Sequence, residues 1–171
     1  MSVSDTGSTP PPPGSGNTAG QVAQFRVLAQ YVKDLSFENP NAPSSLIQRP
    51  AKPDINVHVD INARRLSGEQ FESEIKLAVE SKLEGQIQFI VELLYAGLFL
   101  IQGIGQENLE PLLLIECPRI IFPFARRIIS DVVRDGGYMP LNVEPIDFAG
   151  IYRQQLQRRA QQQEVPGGLP N

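Results

Sequence analysis

The chain has 171 residues and a formal charge of −4 from 19 acids and 15 bases, enough for one domain with a single core. One Cys and one His exclude a disulfide framework and a Cys/His zinc site. Residues 25–152 hold 17 acids against 12 bases, so there is no basic stripe to neutralise phosphates, and a basic protein or peptide suits the charge better.

Taken in chain order, residues 1–24 combine Gly, Ser and the run Pro10 to Pro13, which cannot bury enough apolar area to offset chain entropy, and they are expected to form a disordered tail. No base precedes Arg26 and no apolar run precedes it either, so a secretory signal is not expected and cytosolic residence is. Alternation from Phe25 to Phe37 predicts a first strand, with Phe25, Val27, Ala29 and Tyr31 on one face and Arg26, Gln30, Asp34 and Ser36 on the other. Pro40, Pro43, Pro50 and Pro53 then predict a long ordered crossing that carries Leu46 and Ile47.

Ile55, Val57, Val59 and Ile61 predict a second strand, and Arg64 to Glu69 a turn. Phe71 to Ser81 predicts a third strand, paired with the second as an antiparallel hairpin. After Gly85 a fourth strand sets Ile87, Phe89, Val91, Leu93 and Tyr95 against Gln88, Ile90, Glu92 and Leu94. The run from Leu93 to Ile101 lacks charge but falls well short of the ~20 residues that a membrane-spanning helix needs. From Pro118, the apolar residues Ile121, Phe124, Ile128 and Val132 recur at helical spacing until Gly136-Gly137, with Pro123 as a kink or true start. Asp147 offers an N-cap for a short helix with Phe148, Ile151, Tyr152 and Leu156, and residues 161–171 read as a second tail. The fold class is α+β: one four-stranded antiparallel sheet with a long and a short C-terminal helix, in a body spanning 25–160.

No catalytic constellation emerges. His58 lies on a polar strand face without a Ser or Cys partner motif, and Cys117 reads as a small buried hydrophobe. Gly103-Ile104-Gly105 lacks the rest of a phosphate loop, and Glu72 and Glu74 beside Lys76 read as a solvated face. No enzyme activity, cofactor or metal is expected. Ile90 and Leu94 around Glu92, together with a broadly apolar long helix, exceed what one small sheet and two helices can cover, which points to association and an additional apolar groove. On this evidence an oligomeric small-molecule-binding domain or a scaffold stays open beside a polypeptide-binding one.

Four blocks carry a resemblance: Tyr31 to Pro43, Tyr95 to Phe99, Cys117 to Arg126 and Pro140 to Phe148. In this order they resemble the SecB family of bacterial protein-export chaperones over about residues 25–157. The resemblance implies a cytosolic tetramer, a dimer of dimers joined largely through the long helices, which holds unfolded secretory precursors translocation-competent without ATP. It implies a docking surface for the translocation ATPase SecA at Asp34, Glu38, Ile90 and Glu92. Oligomer packing is implied for Val91, Leu93 and Tyr95, with Phe124, Ile128 and Val132 on the long helix. A client groove between the crossing (44–53) and the short helix would draw on Leu46, Ile47, Phe99, Phe148, Ile151 and Tyr152.

Overall fold

The structure, a computed structural model, describes residues 23–47 and 52–163. The proline run, Pro50 in the crossing and the segment from 164 onward lie outside the described residues. Four strands, β1 (Gln24–Glu38), β2 (Asp54–Ser67), β3 (Gln70–Leu83) and β4 (Gln86–Gln102), form one antiparallel sheet in the order β1-β4-β3-β2. Because β1 pairs with β4, the crossing must travel from one edge of the sheet to the other, and it carries the one-turn helix α1 (Ser44–Ile47) on the way. Glu84 and Gly85, both with positive φ (49° and 80°), make the two-residue hairpin between β3 and β4, a geometry that matches the right-handed strand twist.

Helix α2 (Gln106–Pro111) runs through a π-helical turn (Leu112–Glu116) into α3 (Cys117–Asp135), and α4 spans Phe148–Gln163. The segment from Gln106 to Glu116 has no counterpart in the sequence reading, because Pro111 and Pro118 interrupt the helical signal there. Its unusual turn follows from chemistry. Pro118 has no N–H, so a backbone carbonyl one turn earlier lacks its donor, and the Ser73 hydroxyl on β3 donates to the Leu113 carbonyl at 2.9 Å. Pro123 is accommodated inside α3 and does not mark its start. The Asp147 cap holds, with the Gly150 N–H donating to Asp147 Oδ1 at 3.0 Å, and α4 continues to Gln163, past the expected boundary at 160.

The core lies between one sheet face and α3. Ile75, Leu77 and Val79 of β3 and Val91, Leu93 and Phe99 of β4 meet Ile121, Ala125, Ile129 and Val133, all essentially without exposure. Burying each such side chain contributes about 1.5–3 kcal/mol. Gly136 ends α3 where the Phe37 ring crosses it so closely that a Cβ would meet the ring at 2.1 Å.

The register corrects one expectation about β1. Two bulges, at Leu28 and Lys33, interrupt its pairing with β4. Opposed residues share a face, so Phe25, Val27, Gln30, Val32, Leu35 and Phe37 point toward the helices while Ala29, Tyr31, Asp34, Ser36 and Glu38 point outward. Ala29, Gln30 and Tyr31 therefore occupy the faces opposite to those that plain alternation assigns.

Candidate functional site

Two surfaces stand out, one on each side of the sheet. On the outer face, Glu38 lies directly opposite Ile90, Ser36 opposite Glu92, and Asp34 opposite Leu94. The structure thus brings Asp34, Glu38, Ile90 and Glu92 into one patch. Asp34 and Glu38 are exposed, Ile90 and Glu92 half-buried. Lys76 reaches Glu92 at 3.4 Å from the neighbouring strand, a loose pair between half-exposed groups. The patch is acidic with an apolar neighbour, a form suited to a basic partner that also carries an apolar side chain.

Farther along the same face, Glu72 departs from the solvated carboxylate that the sequence suggests. It is 2% exposed. Tyr31 and Lys33 of β1 and Arg64 of β2 all converge on it: the Tyr31 hydroxyl donates to Oε1, Lys33 Nζ to Oε2 at 3.2 Å and Arg64 Nε to Oε2 at 2.6 Å. Burial pushes the carboxyl upward, but the hydrogen bonds from Arg64, Tyr31 and Lys33 outweigh it and hold the group at about 2. Lys33 also donates to Glu74.

The second surface is an apolar groove of about 410 Å³ at the end of the sheet where the crossing passes. Leu46 and Pro53 of the crossing form one wall, Ile55, Leu83 and Phe89 the floor, and Met139 and Leu141 of the loop after α3 the other wall. Its frame is polar and specific. The Tyr138 hydroxyl donates to the Gln88 carbonyl at 2.8 Å and lies 2.8 Å from Asn39 Oδ1 and 2.9 Å from Ser45 Oγ, tying crossing, sheet and loop together. Asn41 Nδ2 adds a bond to the Ile87 carbonyl at 2.8 Å. Met139 is 88% exposed at the rim and Ile47 79% exposed nearby.

This cavity brings together only part of the residues expected in a client groove. Leu46 lines it, whereas Phe99 is fully buried beneath α3 and Phe148 packs edge-on against Phe122 in the core. Ile151 and Tyr152 are half-buried against that core. The loop at 137–141 turns back to the crossing, while α4 lies at the other end, where Gln155 bonds the Ile61 carbonyl and Arg159 pairs with Glu110. The second wall of this cavity is therefore the loop. Phe89, Tyr138, Met139 and Leu141 were missed, although Gly136-Gly137 followed by Tyr-Met-Pro-Leu marks a tight turn with apolar residues that no regular element claims.

Val91, Leu93 and Tyr95, expected to support oligomer packing, face α3 and are buried within the single chain. Phe124, by contrast, is 45% exposed, and Ile128 and Val132 are half-buried beside it on α3. Cys117 is fully buried, and burial, with a smaller contribution from Glu116, pushes its thiol up to about 12, so it is no nucleophile.

An apolar groove beside an unpaired sheet edge, with an acidic patch on the opposite face, defines a polypeptide-binding module of α+β architecture. The sequence pattern of the family described as preprotein translocase subunit SecB matches residues 18–159, and the chain belongs to the SecB family. A protein-export protein SecB of Parvibaculum lavamentivorans is 50% identical over 157 residues, covering 91% of this chain and 94% of the relative. One of Bradyrhizobium diazoefficiens is 52% identical over 148 residues, covering 85% and 91%. Among solved structures, a SecB-like chaperone of Mycobacterium tuberculosis in complex with a ChAD peptide from the HigA1 antitoxin matches with a TM-score of 0.60 at 17% identity. It covers 75% of this chain and 93% of that one, a likeness of fold.

Proposed function

We propose that this SecB-family chain is an ATP-independent chaperone of protein export, which holds unfolded secretory precursors in the cytosol and passes them to SecA. The observation that carries this reading is the groove: apolar walls at Leu46, Phe89, Met139 and Leu141 lie beside β2, an edge strand whose outer backbone groups have no partner in the sheet. Apolar contact plus main-chain pairing accepts an extended segment with little regard to its sequence. Promiscuity of that kind is what an export chaperone requires.

SecA docking is assigned to Asp34, Glu38, Ile90 and Glu92, on the face opposite the groove, so that client and SecA need not compete for one surface. Assembly as a dimer of dimers is assigned to the apolar residues that the single chain leaves open: Phe124, Ile128 and Val132 on α3, and Val32 and Leu35 along β1. The test combines native mass with capture of a denatured precursor in the absence of nucleotide. A tetramer that delays refolding is expected, and a monomer that ignores unfolded chains overturns the proposal. In the same assay, Glu92→Lys should abolish SecA binding and leave tetramer and client capture intact. Unchanged SecA affinity removes the docking role from that face.

A further inference from the structure

The two bulges of β1 have opposite consequences for its ends and its middle. Before Leu28 and after Lys33 the odd-numbered residues face the helices; between the bulges the even-numbered ones do. A strand without bulges would keep both ends on their present faces and invert only residues 29–33. It would reach that state when residues 24–27 slide two positions and residues 29–32 one position along β4, moving Val32 from opposite Tyr95 to opposite Ala96 and Tyr31 from opposite Ala96 to opposite Gly97. Because the ends keep their apolar sides inward, hydrophobic pattern alone separates these two registers poorly. The middle decides.

In the observed register the middle is tied down on the outer face. Tyr31 and Lys33 reach across β4 to Glu72 on β3, and Arg64 closes on the same carboxylate from β2. Ala96, the residue opposite Tyr31, is small and fully buried, so the tyrosine can cross over it. In the slid register Tyr31 and Lys33 turn toward the helices, leaving the Glu72 carboxylate buried without two of its three donors, which a desolvated charge strongly disfavours. The helix-side surface changes with it. Val32, 44% exposed, and Gln30, whose Oε1 is buried without a partner, give way to a phenol and an ammonium group.

We propose that Glu72 is a register lock: by gathering Tyr31, Lys33 and Arg64 on the outer face, it holds β1 in its doubly bulged pairing and keeps Gln30 and Val32 on the helix-side surface that a second copy covers. Glu72 is a positioning residue and touches no ligand. The step from register to assembly rests on the tetramer reading above, whereas the register itself does not.

Glu72→Leu removes every acceptor and keeps the volume. Interstrand contacts by NMR on the perdeuterated full chain should then show Val32 opposite Ala96, and amide exchange over residues 24–33 should accelerate roughly tenfold, as loss of one charge-assisted bond allows. Native mass should fall below the tetramer. Deleting Lys33 in the same background should reverse all three changes, since one bulge remains and a one-residue slide would turn Phe25 and Val27 outward. Lys33→Ala in that background, which makes the same charge change, should rescue nothing. Val32 paired only with Tyr95 at wild-type exchange overturns the lock. A changed register with unchanged native mass overturns its link to assembly, and a wild-type monomer overturns the tetramer reading instead. Should Glu72→Leu fail to fold, Tyr31→Phe combined with Lys33→Ala removes two donors, and the same contacts decide the matter.

Discussion

The two faces of the sheet are held by different physics. The helix-side face is a packed layer in which Ile75, Leu77, Val91 and Leu93 meet α3 with no polar side chain between them. Among the described residues no layer covers the outer face, and there the strands are joined by long side chains that converge on Glu72 and Glu74. Packing resists any change of volume; the polar lattice resists a change of charge or register. The interior can thus stay rigid while β1 lies at an edge of the sheet.

The largest effect should come from the packed side. Phe89 stacks on Phe37 at 6.0 Å and tilts against Tyr138 at 5.0 Å, forming both the end of the core and the floor of the groove. Phe89→Ala should cost about 3–4 kcal/mol in urea unfolding, from lost transfer energy and the cavity left behind. A loss below ~1 kcal/mol would show that the groove end is loosely packed and that the contrast between the faces is overstated.

The polar side answers to pH. The Glu72 carboxyl is lowered from 4.5 to about 2, so the folded state binds its proton more weakly than the unfolded chain does. Its stabilisation is therefore fully present above pH ~5 and is lost as pH falls toward 2, with a size of about 2 kcal/mol once screening at the exposed Arg64 is allowed for. Comparing unfolding free energies of wild type and Glu72→Gln between pH 7 and 2 checks this. The difference should shrink on acidification, and a constant difference would mean that charge plays no part on this face.

Much of the packed side was legible in the sequence. Strand alternation and the apolar stripe of α3 are local periodicities, and tertiary structure preserves them. The shared outer face of Asp34, Glu38, Ile90 and Glu92 was legible too, because all four fall on the outward phase of their strands. The polar lattice was hidden for a physical reason. Tyr31, Lys33, Arg64 and Glu72 come from three strands, and only the order β1-β4-β3-β2 with two bulges brings them together. The groove was half legible: the prolines marked the crossing, but its opposite wall depends on where the chain turns after Gly137, which no periodicity reports. Phe99 and Phe148, which the family resemblance implies for the groove, are core residues of the single chain, and a resemblance carries no burial.

The smallest effect separates two carboxylates of the same outer face. Glu92 meets Lys76 at 3.4 Å with both side chains about half exposed, while Glu72 is enclosed by three donors. An exposed pair gains little Coulomb energy in water and loses side-chain freedom, so Glu92→Ala should change stability by no more than about 0.5 kcal/mol. Thermal unfolding measured beside Glu72→Gln resolves the difference. Equal losses for the two variants would mean that the outer face acts as one electrostatic unit; a negligible loss at Glu92 leaves its charge free for a partner, at no expense to the fold.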